Sequence, residues 1–218
     1  MRRYPLAALV VAAAVAAACA TEPDRQPGDG LPFYDSADFT PRWARDVDHV
    51  VGDFALVTQT GEPLTGDDLA GRIHVASFIY TKCAGICPTM VRQLSTVEAA
   101  VADDAGVVLV SYSVTPQDDT PEALATFGAD RGIDPDRWKL VTGDPDTIYR
   151  LAHESYFADD GRLDPAQPAT AQFLHTEKVL LVDARGRLRG VYNGTLPYDM
   201  AKLVEDVSTL EREAAAGS

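Results

Sequence analysis

Two cysteines four positions apart are the side chains in this sequence whose type and spacing best suit chemistry. Cys83 and Cys87 stand in residues 80–88, which read Tyr-Thr-Lys-Cys-Ala-Gly-Ile-Cys-Pro. On a helix such positions share one face, with Cβ atoms about 5–6 Å apart, whereas a disulfide needs Cβ atoms about 3.8 Å apart. The spacing therefore favours a metal held between two thiolates. Because Gly85 makes the loop adjustable, a Cys83–Cys87 disulfide stays open as the alternative.

The two thiols also narrow the choice of metal. Pro88 is expected to begin a helix, and the positive end of that helix favours the thiolate forms of Cys83 and Cys87. Two thiolates with one imidazole suit Cu(I) or Zn(II). A structural zinc site normally has four ligands, and the sequence offers no evident fourth. We therefore expect three-coordinate Cu(I), with Cu(II) as the alternative form.

Four histidines could supply the imidazole. His49 precedes the expected core, His74 lies at the beginning of an apolar strand, and His153 falls late in a predicted helix, where a cation is favourable. His175 lies in a loop just before a predicted strand, a position well suited to function. Its position alone does not make it a ligand, because a lone histidine is more often structural.

The order of strands and helices predicts an α/β fold. Two apolar runs, residues 73–80 and 107–114, are predicted to be buried strands. Helices are predicted from Pro88 and after the caps Thr120 and Asp144. Further strands, a hairpin and a closing helix follow, in residues 138–141, 179–182, 188–192 and 200–210.

This pattern predicts a thioredoxin-like arrangement. It has a central, mostly parallel sheet with helices on both faces, followed by a C-terminal β-hairpin plus helix. Sites in such sheets lie at the carboxyl ends of strands. Cys83 and Cys87 come directly after the strand that ends at Tyr80, so they fall at such an end.

The N-terminus is typical of a targeting segment rather than of a folded domain. Basic Arg2 and Arg3 precede an apolar run, residues 6–18, that is too short to span a bilayer comfortably. Small residues lead to Cys19, which resembles the lipobox cysteine of bacterial lipoproteins, although Ala16 stands where leucine is usual. The resemblance implies lipidation of Cys19 and a protein anchored to the cell membrane, facing the periplasm or the extracellular side. Plain secretion is the alternative.

Composition and charge predict how the chain is divided and which class of partner is excluded. Residues 1–18 are predicted to be the signal peptide, residues 19–45 a flexible tether rich in proline, glycine and charge, and residues 46–212 the copper-binding domain. The chain of 218 residues has a net charge of −14 and no basic cluster. This excludes nucleic acid as a partner.

Several motifs together resemble the SCO/SenC family. They are residues 51–54, Gly61, residues 69–71, the cysteine block 80–88, residues 114–121, and the pair His175-Thr176. They occur in the family's order over roughly residues 50–205. The cysteine block with the downstream His-Thr is the specific part of the match.

The resemblance implies a thioredoxin-like fold in which the thiolates of Cys83 and Cys87 and the imidazole of His175 bind copper. Such proteins help to assemble the binuclear copper centre of cytochrome c oxidase, by delivering copper or by reducing that centre's thiols. The expected partner is cytochrome c oxidase subunit II or another copper protein. The expected role is that of a metallochaperone rather than an enzyme. The chain departs from the family at Ala84-Gly85, Leu174 and Thr115, and these departures bear on affinity and redox tuning.

Other functions fit the sequence less well. A thiol–disulfide oxidoreductase of this fold usually has a cis-proline before the strand opposite the cysteines, and here Leu174-His175-Thr176 has no adjacent proline. A peroxidase would need a proline and a threonine or serine placed before Cys83, and that pattern is missing. A redox or copper sensor is not separated from a chaperone by anything in the sequence.

Overall fold

The computed structural model describes residues 30–43, 47–158 and 176–216. Cys19, with the whole predicted signal peptide, lies outside the described residues, and so does His175. Among the helices of the described part, none has the length and apolar character needed to cross a membrane.

A seven-stranded sheet forms the centre of the described domain. Its strands are β1 (Ala55–Thr58), β2 (Pro63–Thr65), β3 (Ile73–Ile79), β4 (Val107–Ser113), β5 (Trp138–Thr142), β6 (Lys178–Val182) and β7 (Leu188–Asn193), in the order β2-β1-β5-β4-β3-β6-β7. The central strands β3, β4 and β5 are parallel, while β1 and β2 at one edge and β6 and β7 at the other pair antiparallel. The expected parallel sheet therefore holds for the centre, and the whole sheet is mixed, because tight hairpins join antiparallel strands.

Five α-helices connect or cover these strands in the described residues. They are α1 (Gly66–Leu69), α2 (Cys87–Ala100), α3 (Pro121–Ala129), α4 (Pro145–Arg150) and α5 (Pro197–Ala216), with one π-helical turn (Leu151–Ser155) after α4. The predicted caps are confirmed, since Thr120 Oγ1 accepts from the backbone N–H of Ala123 and Asp144 Oδ2 accepts from that of Thr147. Helix α2 begins at Cys87, one residue before the predicted start.

Side chains of β3 alternate between two apolar cores, as the pleat of a strand requires. Val75 and Ile79 belong to the core that includes apolar side chains of α2, α3 and α5. Ala76 and Phe78 belong to the core that includes α1, the N-terminal hairpin and Ile148 of α4. All seven residues of β3 are buried, as its continuous apolar run predicted.

Residues 30–43, which we expected to be part of the tether, lie against the domain. Phe33 is only 2% exposed, and the backbone N–H of Tyr34 donates to the carbonyl of Leu188 at 3.1 Å. The side chain of Arg189 donates to the carbonyl of Pro32 at 3.0 Å. This contact depends on a distant arginine, so the local composition of the segment gave no sign of it. The limits of the tether and of the domain stay predictions.

Candidate metal centre

The structure brings Cys83 and Cys87 together at the carboxyl end of β3. Cys83 lies in the loop of residues 80–86, where its backbone N–H donates to the carbonyl of Tyr80 at 3.2 Å. Cys87 is the first residue of α2, and its backbone N–H donates to Cys83 Sγ at 3.4 Å. Both are free thiols and both are buried, at 9% and 5% exposure. The disulfide stays a prediction.

The two thiols have opposite pKa shifts. Burial acts to raise the pKa of Cys83, but hydrogen bonds from the Cys87 thiol, from the backbone N–H groups of Cys87 and Gly85, and from Tyr80 outweigh it and lower that pKa. Burial, with the hydrogen bond to Cys83, raises the pKa of Cys87 to about 12. The expectation that the end of α2 favours the thiolate therefore describes Cys83 and is wrong for Cys87, where burial dominates.

Tyr80 is a neighbour of the thiols that the sequence did not single out as functional. A hydrogen bond between its hydroxyl and Cys83 raises the pKa of Tyr80 and favours the thiolate form of Cys83. Lys82, which could have supported a thiolate, instead forms an exposed ion pair with Asp118 at 3.2 Å.

In the metal-free reduced protein, we expect iodoacetamide at pH 7 to alkylate Cys83 at least about 30 times faster than Cys87. A rise in pKa from 9.0 to about 12 cuts the thiolate population about a thousandfold. The more basic thiolate gains about thirtyfold in nucleophilicity. Mass spectrometry of the two labelled positions over time measures the ratio. The same protein in urea is the control, and equal rates in the folded state would contradict the assigned pKa directions.

The conformation of this loop does not require glycine at position 85, where the chain departs from the family pattern. A Cβ built on Gly85 would meet no heavy atom within 4 Å, and its φ is not positive. Ala84 and Gly85 are both exposed. A larger residue would therefore fit at position 85, so the loop does not depend on the glycine.

A buried carboxylate, Asp119, also reaches the cysteine loop. Its side chain is fully buried and accepts hydrogen bonds from the backbone N–H and the hydroxyl of Thr81, two residues before Cys83. Sequence reasoning missed this role, because Thr81 and Asp119 are 38 positions apart and nothing local to either one indicates the contact.

The described histidines lie away from the thiols or serve other contacts. His74 is buried at the amino end of β3, with Nε2 3.1 Å from the hydroxyl of Tyr156. His49 stacks on Phe157 at 4.5 Å, and His153 is exposed in the π-helical turn. Within residues 30–43, 47–158 and 176–216, no three His, Cys, Asp or Glu side chains come together as a metal site. His175, the third ligand that the family resemblance implies, lies outside these residues.

Thr176, the residue after His175, lies at the same end of the sheet as the thiols. Val179 of β6 pairs with Ser77 of β3 in an antiparallel register. Moving back along β6 from Val179 therefore leads toward the carboxyl end of β3. Thr176 is 6% exposed there, and its hydroxyl accepts from the backbone N–H of Lys178 at 3.1 Å.

Comparison with known sequences gives one family. The profile of the SCO1/SenC family matches residues 43–211. The SCO1 protein homolog of Bacillus subtilis is 29% identical over 170 residues, which cover 76% of this chain and 86% of the relative. A SCO2-like protein of Rickettsia conorii is 34% identical over 163 residues, which cover 71% and 75%.

Comparison with solved structures agrees. A SCO1/SenC family lipoprotein from Bacillus anthracis aligns with a TM-score of 0.67 at 26% identity, covering 77% of this chain and 98% of that one. BsSco, a Sco-family cytochrome c oxidase assembly protein with a disulfide switch, aligns with a TM-score of 0.63 at 27% identity. The alignment covers 74% of this chain and 93% of BsSco. Copper-bound ScoI of Bradyrhizobium japonicum aligns with a TM-score of 0.57 at 28% identity, covering 72% of this chain and 98% of ScoI. The expected thioredoxin-like α/β fold is confirmed.

Proposed function

Because the chain belongs to the SCO1/SenC family, we propose that it is a copper chaperone for the assembly of cytochrome c oxidase. Copper is its cargo, held by the thiolates of Cys83 and Cys87 and by the imidazole of His175. Its partner is the copper-bearing subunit II of the oxidase or another copper protein. It carries copper and is not an enzyme.

The adjacent thiols are the observation that carries this proposal. Cys83 and Cys87 share a hydrogen bond and are both reduced, and a pair of soft sulfur donors fits copper better than a hard cation. One relative supports the metal, since ScoI of Bradyrhizobium japonicum is solved with copper bound. The position of Thr176 at the thiol end of the sheet supports His175 as the third ligand.

Copper loading must displace protons from the thiols. Thiolates are the ligands, so binding releases protons and gains affinity as the pH rises. Cys83, with its lowered pKa, is the thiol that ionises first, and Cys87, with a pKa of about 12, loses its proton mainly when the metal arrives. Soft sulfur donors stabilise the cuprous state, so we propose Cu(I) as the bound form.

The protein is proposed to act outside the cytoplasm, anchored to the cell membrane by a lipid on Cys19. The apolar run before Cys19 supports this location, as does the B. anthracis relative, which is a lipoprotein. Mass spectrometry of the peptide that begins at Cys19, in the membrane-bound protein, tests for the acyl groups.

A second function, thiol–disulfide exchange, has two observations in its favour. Reduced Cys83, with its lowered pKa, is suited to attack a disulfide, and the relative BsSco contains a disulfide switch. The protein would then reduce the cysteines of the oxidase copper site, and Cys83 and Cys87 would become a disulfide as the partner's disulfide becomes two thiols.

A competition titration with a Cu(I) chelator separates the two functions. Wild-type protein is expected to bind one Cu(I) per chain, Cys83→Ala to lose that binding, and His175→Ala to weaken it. His153→Ala is the matched control, because His153 is exposed in the π-helical turn, and it should bind like wild type. Absence of copper binding by wild type, together with rapid reduction of insulin disulfides, would reject the chaperone in favour of the reductase.

A further inference from the structure

Asp119 joins two separate loops at the thiol end of the sheet. One loop follows β3 and carries Cys83, and the other follows β4. Asp119 Oδ2 accepts hydrogen bonds from the backbone N–H of Thr81 at 3.1 Å, the hydroxyl of Ser113 at 2.6 Å and that of Thr115 at 3.0 Å. Its Oδ1 accepts from the hydroxyl of Thr81 at 2.5 Å. Four donors thus converge on one carboxylate.

A carboxylate with no exposed surface is costly unless its oxygens are fully hydrogen-bonded. Asp119 is 0% exposed, and an ionised carboxylate only accepts hydrogen bonds. The nearby lysine, Lys82, pairs instead with Asp118. Four donors therefore satisfy both carboxyl oxygens of Asp119 and hold its side chain in this position.

The bonds of Asp119 differ in what they connect. Those from Ser113, the last residue of β4, and from Thr115 are local, six and four positions away. Those from Thr81 cross 38 positions to the cysteine loop. A second link between the two loops is the exposed ion pair of Lys82 with Asp118 at 3.2 Å, and an exposed pair of this kind contributes little. Asp119 therefore fixes the backbone two residues before Cys83.

We propose that Asp119 is a positioning residue for the cysteine pair. By fixing Thr81 to the end of β4, it holds the loop in the shape in which Cys83 Sγ accepts the N–H of Cys87. The proposed role of Asp119 rests on the proposed function where it is tested by copper affinity. Amide exchange in the metal-free protein tests the same role without copper.

The test compares Asp119→Ala with Asp119→Asn. Alanine removes all four acceptor contacts. Asparagine has the same shape, and its carbonyl oxygen can take the place of Oδ2 while its amide donates to the hydroxyl of Thr81. We expect Asp119→Ala to lower Cu(I) affinity by about 10- to 100-fold and Asp119→Asn to restore most of it.

Amide hydrogen exchange in the metal-free protein is the second measurement. We expect Asp119→Ala to speed exchange of the amides of Thr81 and Cys87 about tenfold or more relative to the amides of β6, and Asp119→Asn to keep them protected. The matched control is Ser77→Ala, which removes the buried Ser77–Ser111 hydrogen bond of 2.7 Å between the same two strands. It should lower the unfolding temperature with no selective effect on the loop.

The outcomes separate a positioning role from a structural one. If Asp119→Ala behaves like Ser77→Ala, losing thermal stability with the loop amides and the copper affinity unchanged, the proposal is overturned. If wild type binds no copper, the proposed function fails, and the amide measurement still decides the role of Asp119.

If Asp119→Ala does not fold, Thr81→Val takes its place, since it removes one donor to Asp119. Unchanged exchange at Cys87 in that variant overturns the proposal.

Discussion

Replacing Arg189 by methionine is expected to lower the free energy of unfolding by about 3–5 kcal/mol, the cost of leaving buried charges without their partner. The Arg189 side chain is 2% exposed and lies between two carboxylates. It donates to Asp183 Oδ2 at 3.1 Å and to Glu213 Oε2 at 2.9 Å. Because methionine fills much of the same volume, the loss in the free energy of unfolding measures the effect of the unpaired charges more than that of lost packing.

Arg189 also holds the N-terminal segment in place. It donates to the carbonyls of Leu31 at 2.7 Å and Pro32 at 3.0 Å, and its guanidinium lies 4.1 Å above the ring of Phe33. The backbone N–H of Leu31 in turn donates to Glu213 at 2.9 Å. We therefore expect Arg189→Met to detach residues 31–34 from β7 and α5, which would make this segment the first site of proteolytic cleavage.

Urea unfolding and limited proteolysis measure the two effects. Arg187→Met is the matched control, since Arg187 also pairs with Asp183, at 2.8 Å, but is more exposed, at 16%, and should cost less. The double variant Arg189→Met with Glu213→Leu should recover part of the loss, because it removes one of the stranded charges. A loss below about 1 kcal/mol in Arg189→Met would show that the network is not stabilising.

The elements that could be predicted from the sequence are those with strong local signals. The apolar runs of β3 and β4 are short and rich in β-branched residues, which favours buried strands over helices, and their observed bounds differ from the predicted ones by one residue at the carboxyl end. The caps Thr120 and Asp144 are equally local, since each side chain bonds a backbone N–H three residues on. The cysteine pair followed from spacing and from its place after β3.

Contacts between distant parts of the chain could not be predicted. Arg189 reaches residues 31 and 32 across more than 150 positions, and Asp119 reaches Thr81 across 38. The pKa of Cys87 depends on how deeply the thiol is buried, which the position of a helix end does not reveal. The role of His175 as a ligand came from the family resemblance, and it stays a prediction because that residue lies outside the described part of the chain.

His74 makes the stability of the protein depend on pH. Burial lowers its pKa from 6.5 to about 4, with the charge of Asp183 opposing this shift and the charge of Arg72 adding to it. A protonated imidazole needs acceptors at both nitrogens, and in the described structure Nδ1 has none, while Nε2 faces the hydroxyl of Tyr156. The folded state therefore favours the neutral form of His74.

The direction of the pH effect follows from these two pKa values. Above pH 6.5 His74 is neutral in both the folded and the unfolded chain and has no effect. Between pH 6.5 and pH 4 the unfolded chain binds a proton that the folded protein does not. The free energy of unfolding therefore falls by about 1.4 kcal/mol for each unit by which the pH is lowered. The expected total is about 3 kcal/mol, and below pH 4 this loss levels off.

Urea unfolding of wild type, His74→Leu and His74→Gln at pH 7, 6, 5 and 4 isolates this effect. The carboxylates titrate alike in all three proteins, so the difference between wild type and each variant should change by about 3 kcal/mol across the range. His74→Leu and His74→Gln should show the same pH dependence of the free energy of unfolding, because neither side chain titrates. In both, Tyr156 keeps its 3.0 Å contact with the hydroxyl of Tyr112. Parallel stability curves for wild type and both variants would mean that His74 has the same pKa in the folded and the unfolded protein and takes up its proton without unfolding. The hydrogen bonding around His74 would then have to rearrange at low pH to supply an acceptor at Nδ1.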